Sequence, residues 1–216
     1  MKYGAVLICQ YDSGSIPRII EDHLKFLPSD FGFIGFGSEE NRYLYKGYDF
    51  KLCPVHDLRS YNLYRTSLEL WDQIPFDKVL MFECDSGLLR KGIEEFYEWD
   101  YVGAPWPPNS WMPHDGGNGG LSWRSVKAMR ELARREDDTW YDNDDLYYVN
   151  KLQESSYRLA PRSVCSKFSV EGVFQLGTLG YHKIWPYHTW EVQQQILNQY
   201  KQPDNPDNPS VWTIML

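Results

Sequence analysis

No stretch of this 216-residue chain approaches the ~18 consecutive apolar residues that a membrane-spanning helix needs, and no basic segment followed by an apolar one opens it. Neither spanning nor export is therefore expected, and a cytoplasmic location follows. Cysteine is scarce. Cys9, Cys53, Cys84 and Cys165 lie far apart with no CxxC spacing, which argues against a zinc finger or a dense disulfide framework and leaves reduced, mostly buried thiols. Long basic runs are missing as well: 22 Lys and Arg against 30 Asp and Glu give a net charge of −8, so a surface for a nucleic-acid polymer is not expected. An acidic protein can still hold a nucleotide diphosphate when a divalent cation mediates the contact.

What the chain has in abundance is aromatic side chains: nine Trp, sixteen Tyr and ten Phe. Most such rings fill cores, but flat aromatic faces also stack on sugars and nucleobases, and Tyr and Trp add a polar handle. The length suits one globular domain. Ala5 to Cys9 is an apolar run closed by a Gln-Tyr-Asp-Ser-Gly turn, and reads as a buried strand. Pro17 starts a helical spacing from Ile16 to Phe26. Further strands are expected over Phe31 to Phe36, Lys51 to Val55 and Val79 to Phe82, with a helix from Tyr61 to Trp71. This alternation predicts an α/β domain with a mixed, mostly parallel central sheet flanked by helices, which binds ligands at the carboxyl ends of its strands. Ala104 to Gly120 reads as a Pro- and Gly-rich loop, followed by helices near 125–135 and 146–153 and a short one after Trp190. From 201 onward a repeated Pro-Asp-Asn element reads as a stiff linker to further domains.

The most informative segment is Lys78-Val79-Leu80-Met81-Phe82-Glu83-Cys84-Asp85-Ser86-Gly87, where a buried strand runs straight into two carboxylates and a turn. Acids at the end of such a strand are costly unless compensated. The period of two along an extended chain turns Glu83 and Asp85 to one side, where their hard oxygens suit Mn²⁺ or Mg²⁺ carrying a diphosphate. A solvated strand end with an Asp-Ser-Gly turn is the plainer alternative.

Glu83-Cys84-Asp85 resembles the DxD region of GT-A fold glycosyltransferases, with Asp85 matching the last aspartate and Glu83 departing from the pattern. Trp99-Asp100-Tyr101-Val102-Gly103-Ala104-Pro105-Trp106 and Gly117-Asn118-Gly119-Gly120-Leu121-Ser122 are similar to two further ordered motifs of a small GT-A-like, DUF5672-like family. The resemblance covers roughly residues 1–190, with residues 1–200 as the GT-A domain and 201–216 as its tail. The linker-like end also resembles the junction after the first domain of multidomain chlorella-virus glycosyltransferases, which would place the chain in a host cytoplasm.

The resemblance implies a metal-dependent, inverting hexosyltransferase. Its donor would be a UDP-sugar, with glucose, galactose and rhamnose all open, and its acceptor a hydroxyl of a glycan. It implies Asp85 and His182 as metal ligands, with Glu83 the less certain partner and His188 a weaker competitor to His182. An imidazole ligand favours Mn²⁺ over Mg²⁺. Of the acidic pair Asp144 and Asp145, Asp145 is the implied base that takes the acceptor proton and Asp144 the fallback. Asn118, Gly119 and Gly120 would line the sugar pocket, the glycines through close backbone approach and positive φ. Trp106 would wall that pocket, Lys183 would meet phosphate, and Arg65 would steady base or phosphate. Gln10, Tyr11 and Asp12 would receive the nucleoside. Two other functions compete: a nucleotidyltransferase, disfavoured because Gln10 to Gly14 lacks Lys and Arg, and a noncatalytic carbohydrate-binding module, which the aromatic content would suit.

Overall fold

The computed structural model describes residues 1–11, 13–108, 112, 114–135 and 143–201. A six-stranded mixed sheet forms its centre. It is built from β1 (Tyr3–Ile8), β2 (Gly32–Gly37), β3 (Asp49–Leu52), β4 (Lys78–Phe82), β6 (Tyr101–Pro105) and β7 (Gly116–Ser125), in the order β3-β2-β1-β4-β7-β6. The pairings among β1 to β4 are parallel, whereas β7 runs antiparallel to both β4 and β6. A second sheet, in the order β5-β9-β8, is small: β5 (Ser86–Leu88), β8 (Ser169–Val170) and β9 (Gly180–His182).

The apolar runs of β1 and β4 have no polar face because both sides of the sheet are covered. Alternation along each strand divides them between two cores. Ala5, Leu7, Leu80 and Phe82 face one side, where α1 (Ile16–Leu24) and α6 (Arg162–Phe168) pack through Ile16, Ile19, Ile20, Cys165 and Phe168. Val6, Ile8, Val79 and Met81 face the other. That side is covered by α2 (Leu58–Thr66), α3 (Leu68–Asp72), α4 (Val126–Glu131) and α5 (Asp144–Gln153). The result is a three-layer α/β arrangement. A third, small core of Val170, Tyr181, Ile184 and Ile196 ties α7 (Trp190–Asn198) to β8 and β9.

Four local expectations need correction. The segment 104–120 is not one loop, since β6 reaches Pro105 and β7 starts at Gly116. The helix expected over 61–71 breaks at Ser67, which has extended ψ of 150° and whose Oγ accepts from Leu70 N at 3.3 Å, capping a second helix. The third strand lies at Asp49–Leu52, before Cys53 and Pro54 leave the sheet, and the helix expected over 125–135 ends as α4 at Glu131. The tail from 202 on lies outside the described residues.

Candidate functional site

β4 ends between β1 and β7, so the residue that follows it emerges beside the Gly-rich start of β7. Glu83 N donates to Gly120 O at 2.9 Å. Cys84 and Asp85 then form a turn, closed by Ser86 N and Oγ on Glu83 O at 3.1 and 2.7 Å. It is this turn, not strand alternation, that brings the two acids to one side. Beyond it β5 pairs with β9, setting Ser86 opposite His182, and Lys183 N donates to Asp85 O at 3.0 Å. The two-stranded contact thereby delivers an imidazole from the far end of the chain to the acids.

His182 lies flat against Gly120, where an added Cβ would sit 2.1 Å from the ring. Its Nε2 is 3.2 Å from Asp85 Oδ1 and 3.4 Å from Glu83 Oε2, and its Nδ1 is 3.4 Å from Glu171 Oε1. Both ring nitrogens are buried and neither has a well-aligned hydrogen-bond partner. Burial opposes charge on the ring, but Asp85, Glu171 and Glu83 outweigh it and push the pKa up to about 12 without a cation, so a metal at Nε2 would have to displace that proton. For Glu83 burial likewise opposes charge, and contacts from His182, Arg65 and Tyr61 hold its carboxyl well below the usual carboxylate range. The ligand atoms of Glu83, Asp85 and His182 lie within 4.8 Å of one another. Two carboxylates and an imidazole with an orphaned buried nitrogen form a donor set that could hold a metal ion. Glu171 behind the ring stands in the usual place of an orienting carboxylate.

A buried polar network supports the cluster from behind. Glu83 Oε1 accepts from Arg65 Nη1 at 2.6 Å and from Tyr61 Oη at 3.0 Å, which leaves Oε2 turned toward His182. Arg65 also donates to Gly119 O at 2.8 Å and stands 3.2 Å from Asp144 Oδ2. Asp144 is further held by Arg124 Nη1 at 2.7 Å. Asp145, its neighbour, accepts instead from two backbone amides, Gly119 N at 3.1 Å and Leu146 N at 2.7 Å. Burial and the charge of Asp144 push its pKa up to about 6. Arg65 thus lies behind Glu83 rather than in the open groove.

That groove, of about 380 Å³, runs along the carboxyl ends of β1 and β4 between Gln10 and Tyr11, the start of α2 at His56 to Leu58, and the Glu83 to Asp85 turn. Tyr11 is 80% exposed, and Gln10 Nε2 donates to Cys53 O at 3.2 Å. Asp12 lies outside the described residues.

A family model described as proteins of unknown function, DUF5672, matches residues 44–186. The chain belongs to the DUF5672 family. No curated protein matches it. The DUF5672 match takes in the whole cluster and its support, from Tyr61 and Arg65 through Glu83, Asp85 and Asp144 to His182, and leaves β1, α1, β2 and α7 outside.

Other residues singled out by the sequence fall around this DUF5672 cluster in different ways. Asn118 is partly exposed and its Oδ1 accepts from Gly120 N at 3.0 Å. Gly119 and Gly120 are extended residues of β7; the positive φ of the motif is at Gly117, 133°. Their lack of a side chain makes room for protein groups, Arg124 and Asp145 at Gly119 and the His182 ring at Gly120. Trp106 is 5% exposed and packed in the core rather than standing free as a wall. Lys183 is exposed beside His182, with φ of 46°. His188 Nε2 contacts Glu171 O and not the cluster. Glu171, Tyr61 and Arg124 had no role assigned from the sequence. The one available signal was Arg124 inside an otherwise buried strand, which demands a buried acid somewhere.

Proposed function

We propose that this DUF5672 protein is a metal-dependent, inverting glycosyltransferase of GT-A type that moves a sugar from a UDP-sugar to a hydroxyl of a glycan. The observation that carries the reading is His182: a buried imidazole with no hydrogen-bond partner of its own faces Asp85 and Glu83 at the mouth of a groove over the carboxyl ends of parallel strands. Asp85, Glu83 and His182 are the residues that would hold Mn²⁺, with Mg²⁺ as the alternative. A bound cation supplies the positive charge that a departing diphosphate needs. Glu171 keeps the His182 ring oriented, and Arg65 with Tyr61 fixes one Glu83 oxygen so that the other stays directed at the site.

The exposed ring of Tyr11 receives the nucleobase by stacking, with Gln10 beside it, and Lys183 faces the phosphates. Asn118 meets the sugar. In the transfer, the acceptor oxygen bonds to the anomeric carbon as the bond from that carbon to the diphosphate oxygen breaks on the opposite face, and the acceptor proton passes to a carboxylate. Asp144 is held by two buried arginines, whereas Asp145 has a raised proton affinity, near neutral pH. Asp145 is the assigned base.

The test is a screen of nucleotide sugars for metal-dependent release of nucleotide, with calorimetry of UDP and Mn²⁺ alongside. Asp85→Ala is expected to abolish metal-dependent UDP binding. Asp145→Asn is expected to keep that binding and slow transfer by about 10²-fold or more, the usual worth of a positioned base. Absence of any metal-dependent UDP binding by the unaltered chain sinks the transferase reading, and undiminished transfer by Asp145→Asn sinks the choice of base.

A further inference from the structure

Two thiols that the proposed mechanism does not use face each other beside the candidate metal centre. The parallel register of β1 on β4 sets Tyr3 opposite Lys78 and Leu7 opposite Phe82. Carried on past the last pair, the same register sets Cys9 opposite Cys84. Both are free, their Sγ atoms are 3.2 Å apart, and both line the groove. Adjacent strands lie about 4.8 Å apart, inside the Cα separation of about 4.4–6.8 Å that a disulfide accepts. The sulfurs need to close by about 1 Å to reach bonding distance.

The two sides of the pair are not equally fixed. Cys9 is clamped at the end of β1: its N–H donates to Phe36 O at 2.9 Å, and its carbonyl accepts from the buried Asn41 Nδ2 at 2.7 Å. Cys84 is the middle residue of the Glu83 to Asp85 turn and is partly exposed. Closure therefore draws on the partly exposed Cys84 side, and what side-chain rotation does not supply strains the Glu83 to Asp85 turn and its bonds to Gly120 O and Lys183 N.

We propose that Cys9 and Cys84 are a peroxide-sensitive dithiol, and that closing their disulfide pulls Glu83 and Asp85 out of line with His182. The thiolate of Cys9 attacks the peroxide O–O bond to give a sulfenic acid and hydroxide. The Cys84 thiol then displaces water from that sulfur, so two thiols and one hydrogen peroxide give one disulfide and two waters. The two sulfurs differ in the way this order requires. The Cys84 S–H donates to Cys9 Sγ at 3.2 Å, so Cys9 is the acceptor sulfur that takes the oxygen and Cys84 the donor that resolves it. Cys53, the other thiol in the neighbourhood, is raised to about 11 by burial and takes a hydrogen bond from Gln10.

The effect on metal binding rests on the proposed function; the cross-link itself does not. The whole chain is treated with a small excess of hydrogen peroxide, the peroxide is removed, and unreduced peptides are mapped by mass. A Cys9 peptide joined to a Cys84 peptide, two hydrogens lighter than the sum, is expected. It should be reversed by dithiothreitol, kept in Cys53→Ser, and lost in Cys9→Ser and Cys84→Ser. Mn²⁺ affinity of the oxidised chain is expected to fall at least about tenfold, as for a disturbed ligand shell, and to return on reduction. In Cys9→Ser the affinities before and after peroxide should agree. Failure to find the Cys9–Cys84 peptide overturns the proposal, and the peptide without a change in Mn²⁺ affinity overturns the coupling. A reduced chain that binds no Mn²⁺ refutes the proposed function and the coupling with it, and the peptide map alone then decides the cross-link.

Discussion

His23 and Asp145 are both buried and both hold a proton differently from a group in water, with opposite consequences for stability. The His23 ring is stacked on Phe82 at 4.0 Å with its Nδ1 2.8 Å from Ile19 O, and burial pushes its pKa down from 6.5 to about 4. As pH falls through that interval the unfolded chain takes a proton that the folded chain refuses, so stability falls with it. Asp145 is raised from 3.8 to about 6, by burial first and then by Asp144. Between those values the folded chain keeps a proton the unfolded chain has lost, so this contribution falls as pH rises. Each effect is on the order of 3 kcal/mol, and over about pH 4 to 6 they oppose each other. Removing one should expose the other. Relative to the unaltered chain, His23→Gln is expected to gain stability at pH 4 compared with pH 6.5, and Asp145→Asn to gain at pH 6.5 compared with pH 4. Urea unfolding at the two pH values measures both, and a pH profile unchanged by either substitution contradicts the assignment.

At the scale of the element, β7 decides whether the site can exist. Its glycines look like turn chemistry, which is why the motif reads as a loop, yet two of them are flat strand residues kept bare so that side chains can lie on them. At Gly120 a Cβ would fall 2.1–2.3 Å from three atoms of the His182 ring. Gly120→Ala is therefore expected to cost about 1–3 kcal/mol through overpacking and to abolish Mn²⁺ binding by driving the ring aside. Calorimetric titration with Mn²⁺ checks it, and retained binding contradicts the packing. What was legible in advance follows the same logic. β1 and β4 stand out as apolar runs because they are covered on both faces, and Glu83 and Asp85 stand out because acids follow such a run. β8 and β9 are two and three residues long, too short for any period, and Glu171 and Tyr61 reach the cluster only through the tertiary fold. The break at Ser67 was hidden because Leu63, Tyr64, Leu68 and Trp71 keep helical spacing across it, while a hydroxyl starts a new helix.

For the molecule as a whole, the candidate site hangs between two bodies of unequal strength. Glu83 and Asp85 follow β4 in the middle of the six-stranded sheet, with a large core on each face. His182 belongs to the three-stranded sheet, which packs on a small cluster with four buried members among the described residues, one of them Ile196 of α7, and with Leu89, Trp185, Val192 and Leu197 partly buried against it. The DUF5672 match ends at 186, before that helix begins at Trp190. A change in α7 should therefore reach the metal centre through β9 while leaving the central sheet intact. Ile196→Ala removes a fully buried side chain and is expected to cost about 2 kcal/mol or more, since the small cluster has little left to collapse onto the gap. The loss belongs to the second sheet. Hydrogen exchange should accordingly quicken at the β9 amides Tyr181 and His182 but not at Val6 or Leu80, and Mn²⁺ affinity should fall with it. Uniform quickening across both sheets would mean instead that the two bodies unfold as one, and that α7 supports the whole fold rather than the histidine's half of the site.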